Sequence, residues 1–215
     1  MVHSEACHPA PGRAFLCVIL LALLALAQGC AMLRPEQPTP ELRRMAGQML
    51  LIGFRGAEPS GADDRPLPIL RQIPELNLGG VILFDRDAVL GTSRNIQNPE
   101  QLARLIRALT RVARQAKMPP LFIAVDQEGG RVQRLKPANG FPSTPAAADL
   151  CPQDDDAPAF AAGRSIGRTL RETGINLDFA PVCDVNVNPQ NPVIGRLGRS
   201  FSADPARAGA CAAAF

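Results

Sequence analysis

The sequence predicts an α/β protein whose strands form one parallel sheet, and three observations lead to this prediction. Apolar runs of about four to eight residues alternate with amphipathic segments of helical periodicity. Each run is followed by a helix instead of a hairpin turn, which is the order of βαβ units. The runs are apolar throughout, which is typical of strands buried on both faces of a sheet.

The first half of the chain contains two predicted strands, each preceded by a helix. A helix is expected from Pro40, with Thr39 as its cap, and it leads into the first strand, MLLIGF. A short helical stretch around residues 69–76 precedes the second strand, LGGVILF, which is expected to end at Phe84.

A capped helix follows, and two more strands come after it. Asn98 is placed to cap this helix, with Pro99 at its first position and Gln101 placed for a capping box. The third strand, LFIAV, is expected to end at Val125. A further helix closes at Gly174, the fourth strand is INLDFAPV, and the sequence Asp-Pro at 204–205 begins a last helix.

A targeting segment precedes these elements. Arg13 is followed by the apolar stretch Ala14–Cys30, which has the length of a signal-peptide core and is shorter than a bilayer span. The ending LAQGC resembles a bacterial lipoprotein signal, so residues 1–29 are interpreted as a signal peptide and Cys30 as the lipidated residue. An ordinary cleaved signal and an uncleaved anchor remain alternatives. The protein is expected in the periplasm or cell envelope, with membrane contact only through the lipid.

Composition excludes several kinds of chemistry. The 215 residues are 46% hydrophobic with a net charge of +3, which does not favour a nucleic-acid partner, and no Trp or Tyr offers a stacking surface for bases. Both histidines, His3 and His8, lie before the apolar stretch, so no His-dependent triad or zinc motif can form in the mature part. No cofactor or metal site is predicted, and the chemistry is expected from Asp, Glu and Arg.

The three cysteines beyond Cys30 do not define a framework. Cys151, Cys183 and Cys211 are an odd number without CxxC spacing. One disulfide is possible in an oxidising compartment. The preferred interpretation is that they are small buried apolar residues.

Two architectures have parallel strands followed by helices. A doubly wound nucleotide-binding sheet is disfavoured because no GxGxxG or GxxxxGK follows any strand. A (β/α)₈ barrel typically needs about 250 residues. After a proline-rich linker at residues 30–40, residues 41–215 provide four strands, so the prediction is the N-terminal half of such a barrel.

Carboxylates follow three of the predicted strands: Asp85, Asp126 and Asp184. Binding groups of a barrel lie at these strand ends. The third strand leads into Asp126-Gln-Glu128-Gly-Gly-Arg131-Val-Gln-Arg134. A carboxylate at this place can accept hydrogen bonds from two hydroxyl groups of one sugar ring. The paired glycines allow the backbone to come close to a ligand. The alternative interpretation is a loop held by its own interactions, with Glu128 paired to Arg131 and Asp126 acting as a cap.

Five strings in this order resemble the N-terminal half of a family 3 glycoside hydrolase: GQMLLIGF, GGVILF, AVDQEGGRVQR, INLDFAPVCDV and GRSFSADP. The DQEGGRVQR string is similar to the β-N-acetylhexosaminidase branch, and the resemblance covers residues 42–215. It implies a barrel that removes terminal β-linked N-acetylglucosamine with retention, through a covalent glycosyl-enzyme. Muropeptide fragments of the cell wall are the substrates that it implies for a bacterial member.

The resemblance also implies roles for particular residues. Asp126 and Arg134 resemble the residues that bind the sugar, and Arg199 resembles an arginine at the mouth of the pocket, with Arg196 as the alternative match. Glu128, Arg131 and Asp184 are expected to orient the loops.

The chain departs from the family pattern because a Lys-His pair, an acid/base His-Asp dyad and a nucleophilic Asp are expected downstream of Phe215. Residues 1–215 alone are therefore expected to be inactive and to expose an open sheet edge. A non-catalytic, envelope-anchored sugar-binding lipoprotein, a pseudogene fragment and a β-glucosidase-type member remain alternatives.

Overall fold

The computed structural model describes residues 37–61, 64–152 and 155–215. The predicted signal peptide at residues 1–29 and the predicted lipidation site, Cys30, lie outside the described residues. The part of the chain from Pro40 to Phe215 folds as one unit. None of the helices in the described ranges has the length and apolar content needed to cross a bilayer.

Helices and parallel strands alternate along the described chain. The helices are α1 (Pro40–Gln48), α2 (Pro68–Leu76), α3 (Pro99–Gln115), α4 (Ala157–Thr173) and α5 (Pro205–Ala214). The strands are β1 (Leu51–Gly53), β2 (Gly80–Ile82), β3 (Phe122–Val125) and β4 (Leu177–Asp178). Two single 3₁₀ turns lie at Pro137–Asn139 and Ala147–Asp149.

The four strands form one parallel sheet in the order β1-β2-β3-β4. Val81 pairs with Ile123, and Val125 pairs with Asp178. This is the order of consecutive units in a (β/α)₈ barrel, so the α/β prediction is confirmed. The parallel order also places the carboxyl ends of all four strands at one edge.

Burial on both faces holds for the centre of the sheet only. Val81, Leu83, Ile123 and Val125 are fully buried. The two edge strands, β1 and β4, are only partly buried, and the side chain of Phe122 at the start of β3 is 53% exposed. The prediction of complete burial was therefore wrong for the sheet's edges and for the beginning of β3.

All four strands are shorter than the apolar runs that predicted them, and for β2 and β4 the contacts show why. Strand β2 ends at Ile82 instead of Phe84, because the backbone N–H of Phe84 donates to Oδ1 of Asn95 at 3.1 Å instead of to a strand. Strand β4 ends at Asp178, although the backbone N–H of Phe179 still donates to the carbonyl of Val125. Pro181 has no N–H for the next ladder bond, so an apolar run containing it does not continue as a strand.

The predicted cap of α3 is present, and the predicted start of α5 at residues 204–205 is capped in the same way. Oδ1 of Asn98 accepts the backbone N–H of Gln101 at 2.9 Å, and Asp204 accepts the backbone N–H of Arg207 at 3.0 Å. The reciprocal bond of the predicted capping box differs, because Oε1 of Gln101 accepts from the N–H of Gln97, one residue before the cap.

The preferred interpretation of the three cysteines as small buried apolar residues was wrong, and the alternative of one disulfide is present. Cys151 and Cys211 form a disulfide with their Cα atoms 6.3 Å apart. This pairing is possible because α5 packs on α4 and the turn at Ala147–Asp149, in a small apolar cluster that includes Phe201 and Leu150. Cys183 is a free thiol and is exposed instead of buried.

Candidate functional site

A cluster of paired charged side chains lies where β3 ends, at the carboxyl edge of the sheet. Asp126 directly follows Val125, the last residue of β3. Its Oδ2 accepts a hydrogen bond from Nη2 of Arg134 at 2.9 Å, and the two side chains are 24% and 26% exposed. Within the described ranges, Oδ1 of Asp126 has no protein donor, so one carboxylate oxygen is available to a ligand.

Arg134 also contacts an aromatic ring from the neighbouring strand's loop. Its guanidinium carbon lies 5.7 Å from the centre of the Phe84 ring, and that of Arg94 lies 4.8 Å from the same centre. Nε of Arg94 donates to the carbonyl of Phe54 at 2.7 Å. The loops after β1, β2 and β3 thus meet at one place, next to Asp126.

Gln127 closes the loop that carries this pair, and sequence reasoning did not identify it. Oε1 of this buried amide accepts the backbone N–H groups of Arg134 and Leu135, each at 2.9 Å. The backbone of Arg134 is therefore held beside the end of β3. No sequence signal distinguishes this glutamine from an exposed polar residue between two carboxylates.

Glu128 pairs with Arg199 and not with Arg131. Nε and Nη2 of Arg199 each donate to one oxygen of the Glu128 carboxylate, both at 2.8 Å. Arg131 is exposed and forms no ion pair with any described residue. The Glu128–Arg131 pair of the alternative interpretation was wrong, because the loop turns Glu128 inward, where its side chain is only 8% exposed.

The two alternative arginines occupy different surroundings. Arg199 is held in the polar cluster by Glu128, and Asp184 and Asp126 also help to raise its pKa. Arg196 is exposed, and its Nη2 donates to Oε1 of Gln190 at 3.3 Å. Of the two, only Arg199 lies beside the Asp126 loop.

The paired glycines have the predicted positive φ, but they pack against another segment of the chain instead of facing a ligand. Gly129 has φ +91° and Gly130 has φ +56°. A Cβ on Gly129 would lie 2.3 Å from the carbonyl oxygen of Pro145, and a Cβ on Gly130 would lie 2.6 Å from the Cβ atom of Ala146. The glycines therefore permit close packing of the chain on itself, whereas the sequence suggested approach to a ligand.

The carboxylate at the end of β4 is Asp178, not Asp184. Its Oδ1 accepts the backbone N–H of Gln127 at 2.9 Å. Burial, together with the negative charges of Asp126 and Glu128, raises the pKa of Asp178 to about 6, although backbone donors oppose the rise. A charged residue inside the apolar run INLDFAPV was the available signal. The backbone carbonyl of Asp184 accepts a hydrogen bond from the Ser200 hydroxyl.

The two carboxylates after β2 each form an ion pair with a basic residue of a neighbouring loop. Asp85 is 11% exposed and forms an ion pair with Nζ of Lys136 at 2.5 Å. Asp87 is buried and accepts from Nε of Arg55 at 2.6 Å. The Arg55 guanidinium, followed by the backbone N–H of Leu90, holds the pKa of Asp87 well below its usual range. Sequence reasoning missed Lys136, Arg55 and Asp87.

In the described part of the chain, no three His, Cys, Asp or Glu side chains are grouped so that they could hold a metal ion. The candidate site consists of Asp126, Arg134, Glu128 and Arg199 with their loops. These elements define an α/β protein of the TIM-barrel type with a polar, carboxylate-containing site at the carboxyl ends of its strands.

Comparison with known proteins assigns the family. Residues 42–215 match the Glycosyl hydrolase family 3 N terminal domain. The chain belongs to this family. A beta-hexosaminidase A of Pseudoalteromonas piscicida is 39% identical over 176 residues, which are 75% of this chain and 28% of that protein. A beta-hexosaminidase of Pseudomonas aeruginosa is 37% identical over 155 residues, which are 72% of this chain and 40% of that protein.

Solved structures agree with the family assignment. A glycoside hydrolase family 3 β-N-acetylglucosaminidase from Paenibacillus has a TM-score of 0.69 at 35% identity, covering 83% of this chain and 30% of that one. A β-N-acetylhexosaminidase from Beutenbergia cavernae has a TM-score of 0.65 at 30% identity, covering 80% and 48%. The chain spans less than half the length of each of these four relatives.

Proposed function

We propose that the protein, at its full natural length, is a retaining exo-glycosidase that removes terminal β-linked N-acetylglucosamine. The observation that supports this most directly is Asp126. It stands at the end of strand β3 in a chain of glycoside hydrolase family 3, with one carboxylate oxygen paired to Arg134 and the other without a donor among the described residues.

The described residues are suited to binding and orienting a sugar. Oδ1 of Asp126 would accept hydrogen bonds from sugar hydroxyls, with the added strength of a charged acceptor. Arg134 offers forked N–H donors to sugar oxygens on the same side of the site. Contacts of this kind lower the activation barrier to the extent that they strengthen in the oxocarbenium-like transition state. The nucleophile and the acid/base are assigned to no residue of this chain.

Arg199 would contribute at the mouth of the site. Its Nε–H and one N–H of Nη2 are used by Glu128, while the side chain remains 21% exposed. Glu128 would hold this arginine in a fixed orientation, which reduces the entropy lost when a ligand binds. The substrate class that we propose is an amino-sugar oligosaccharide, with muropeptide fragments of the cell wall as the natural source.

Export to the cell envelope completes the proposal. The apolar stretch ending at Cys30 supports cleavage and lipidation there, and the Cys151–Cys211 disulfide suits an oxidising compartment. Palmitate labelling of the wild type and of Cys30→Ala tests lipidation. Labelling that disappears in Cys30→Ala is expected, and equal labelling of both would contradict the lipid anchor.

Activity is tested with two aryl glycosides that differ only at the 2-position. The full-length gene product should hydrolyse the aryl N-acetyl-β-glucosaminide, and NMR should show the β-anomer as the first product. Asp126→Asn should lose most of this activity, whereas the matched control Asp156→Asn should keep it. Asp156 is an exposed carboxylate whose side chain makes no capping hydrogen bond to α4. Hydrolysis of the β-glucoside alone would contradict the proposed substrate.

A further inference from the structure

Asp178 connects the ends of two neighbouring strands. It is the last residue of β4 and lies opposite Val125, the last residue of β3. Its Oδ1 reaches across to the backbone N–H of Gln127 at 2.9 Å. The side chain of Asp178 thus holds the backbone of Gln127, the residue directly after Asp126.

Gln127 transmits this contact to both members of the sugar-binding pair. Asp126 directly precedes Gln127 in the chain. The side chain of Gln127 accepts the backbone N–H groups of Arg134 and Leu135. A displacement of the Gln127 backbone would therefore move Asp126 through the covalent chain and Arg134 through these hydrogen bonds.

Asp178 is the carboxylate of this cluster that lacks a basic partner. Arg134 is paired with Asp126, and Arg199 is paired with Glu128. Within the described ranges, Asp178 forms no ion pair, and the charged groups whose fields act on it are Asp126 and Glu128, both negative. A partly buried carboxylate kept beside two others without a cation is electrostatically unfavourable. Its backbone hydrogen bonds offset only part of this cost.

We propose that Asp178 is a positioning residue: through Gln127, it holds Asp126 and Arg134 in the arrangement that binds the sugar. This inference rests on the proposed function. Asp178 holds the two residues that bind the sugar and touches no reacting atom itself. Its removal should therefore raise KM much more than it lowers kcat.

The ionisation of Asp178 gives the arrangement a dependence on pH. Burial and the charges of Asp126 and Glu128 raise the pKa of Asp178 to about 6. An ionised carboxylate is a stronger acceptor for the Gln127 N–H than a protonated one. Sugar binding should therefore weaken as the pH falls through about 6, and this loss should be absent where residue 178 cannot ionise.

The experiment compares Asp178→Ala and Asp178→Asn with the wild type and with Asp156→Asn, all in the full-length protein. Asp178→Ala removes the acceptor for Gln127, whereas Asn keeps an oxygen at the same place without a charge. Asp178→Ala should raise KM by at least about tenfold and change kcat less than threefold, since a lost hydrogen bond to a charged group has about this effect. Asp178→Asn should recover most of the loss at pH 7.5 and show a flatter acid limb of kcat/KM than the wild type.

Amide hydrogen exchange supplies a readout that is independent of turnover. In Asp178→Ala, the N–H groups of Gln127, Arg134 and Leu135 should exchange faster, while amides of the sheet centre stay protected. Unchanged exchange at these three amides would overturn the inference, as would an unchanged KM in a folded Asp178→Ala protein. If Asp178→Ala fails to fold, an acid limb of Asp178→Asn identical to that of the wild type overturns it.

The two proposals can fail separately. A wild-type protein that hydrolyses no N-acetylglucosaminide would contradict the proposed function. The hydrogen-exchange data would still test whether Asp178 holds the backbone of Gln127. Normal wild-type turnover with unaffected Asp178 variants would remove the positioning role alone.

Discussion

Arg199 and Glu128 are 71 residues apart in the chain and are joined by two parallel hydrogen bonds of 2.8 Å each. The pair connects the loop after β3 to the segment between β4 and α5. The glutamate is nearly buried, at 8% exposure, so its charge depends on this arginine for compensation.

Removal of Arg199 should therefore destabilise the protein. Arg199→Ala leaves the Glu128 carboxylate buried without its partner, and we expect the free energy of unfolding to fall by about 2–4 kcal/mol. Urea denaturation followed by circular dichroism measures the change. Arg196→Ala is the matched control, because that arginine is exposed, and it should change stability by less than about 0.5 kcal/mol. Equal effects of the two substitutions would contradict the structural role of the pair.

Asp126 should matter for activity far more than for stability. Its ion pair with Arg134 is partly open to solvent, so Asp126→Ala should cost less than about 1 kcal/mol of folding free energy. The same substitution removes the proposed acceptor of sugar hydroxyls and should lower kcat/KM by at least about a hundredfold. Kinetics and thermal denaturation of one preparation test both statements. A lowered melting temperature with normal kinetics would show that Asp126 serves the loop instead of the sugar.

The Gly129 position should not accept a side chain. Gly129→Ala places a Cβ 2.3 Å from the Pro145 carbonyl oxygen in a backbone with φ +91°, so we expect a loss of about 2–4 kcal/mol. Gly209→Ala is the control, because it lies within α5 with open space around its Cβ direction. It should stabilise the protein by about 0.5–1 kcal/mol. Urea denaturation of both variants measures the difference, and a neutral Gly129→Ala would contradict the close packing.

Asp178 should make stability depend on pH in a defined direction. Its pKa in the folded protein, about 6, lies above its ordinary value of 3.8, so the folded state binds more protons between these values. The contribution of Asp178 to stability is therefore fully present below about pH 4 and is lost as the pH rises through 6. The shift corresponds to at most about 3 kcal/mol, which partial exposure reduces to about 1–2 kcal/mol.

The variant Asp178→Asn tests this direction. It should be more stable than the wild type at pH 7.5 by about 1–2 kcal/mol, and the difference should shrink below about pH 4. Denaturation with urea at a series of pH values measures it. A difference that stays constant across pH would show that the ionisation of Asp178 does not contribute.

The disulfide should contribute substantially to folding. It joins residues 60 positions apart, and on the chain-entropy argument its loss costs about 4 kcal/mol. Cys151→Ser should lower stability by an amount of this order, whereas Cys183→Ser, at the exposed free thiol, should have little effect. Unfolding in urea, with thiol titration of the unfolded wild type, checks both. One free thiol per chain is expected among Cys151, Cys183 and Cys211, and three would contradict the bond.

The sequence alone determined the order of the elements, because short-range physics decides them. Periodicity, the Asn98 and Asp204 caps and the glycine at 174 predict where helices begin and end, and α3, α4 and α5 follow those signals closely. Apolar runs predict strands because only such runs can be buried on both faces. Asp126 was predictable as a polar residue directly after one of them.

Only the tertiary structure decided which residues meet. Glu128 could pair with Arg131 three residues away, yet it pairs with Arg199, because the loop geometry set by Gly129 and Gly130 turns its carboxylate inward. Cys151 and Cys211 become partners through the packing of α5, and Asp178 reaches Gln127 through strand pairing. These contacts join segments 51 to 71 residues apart, and their energy depends on burial and orientation that no local pattern encodes.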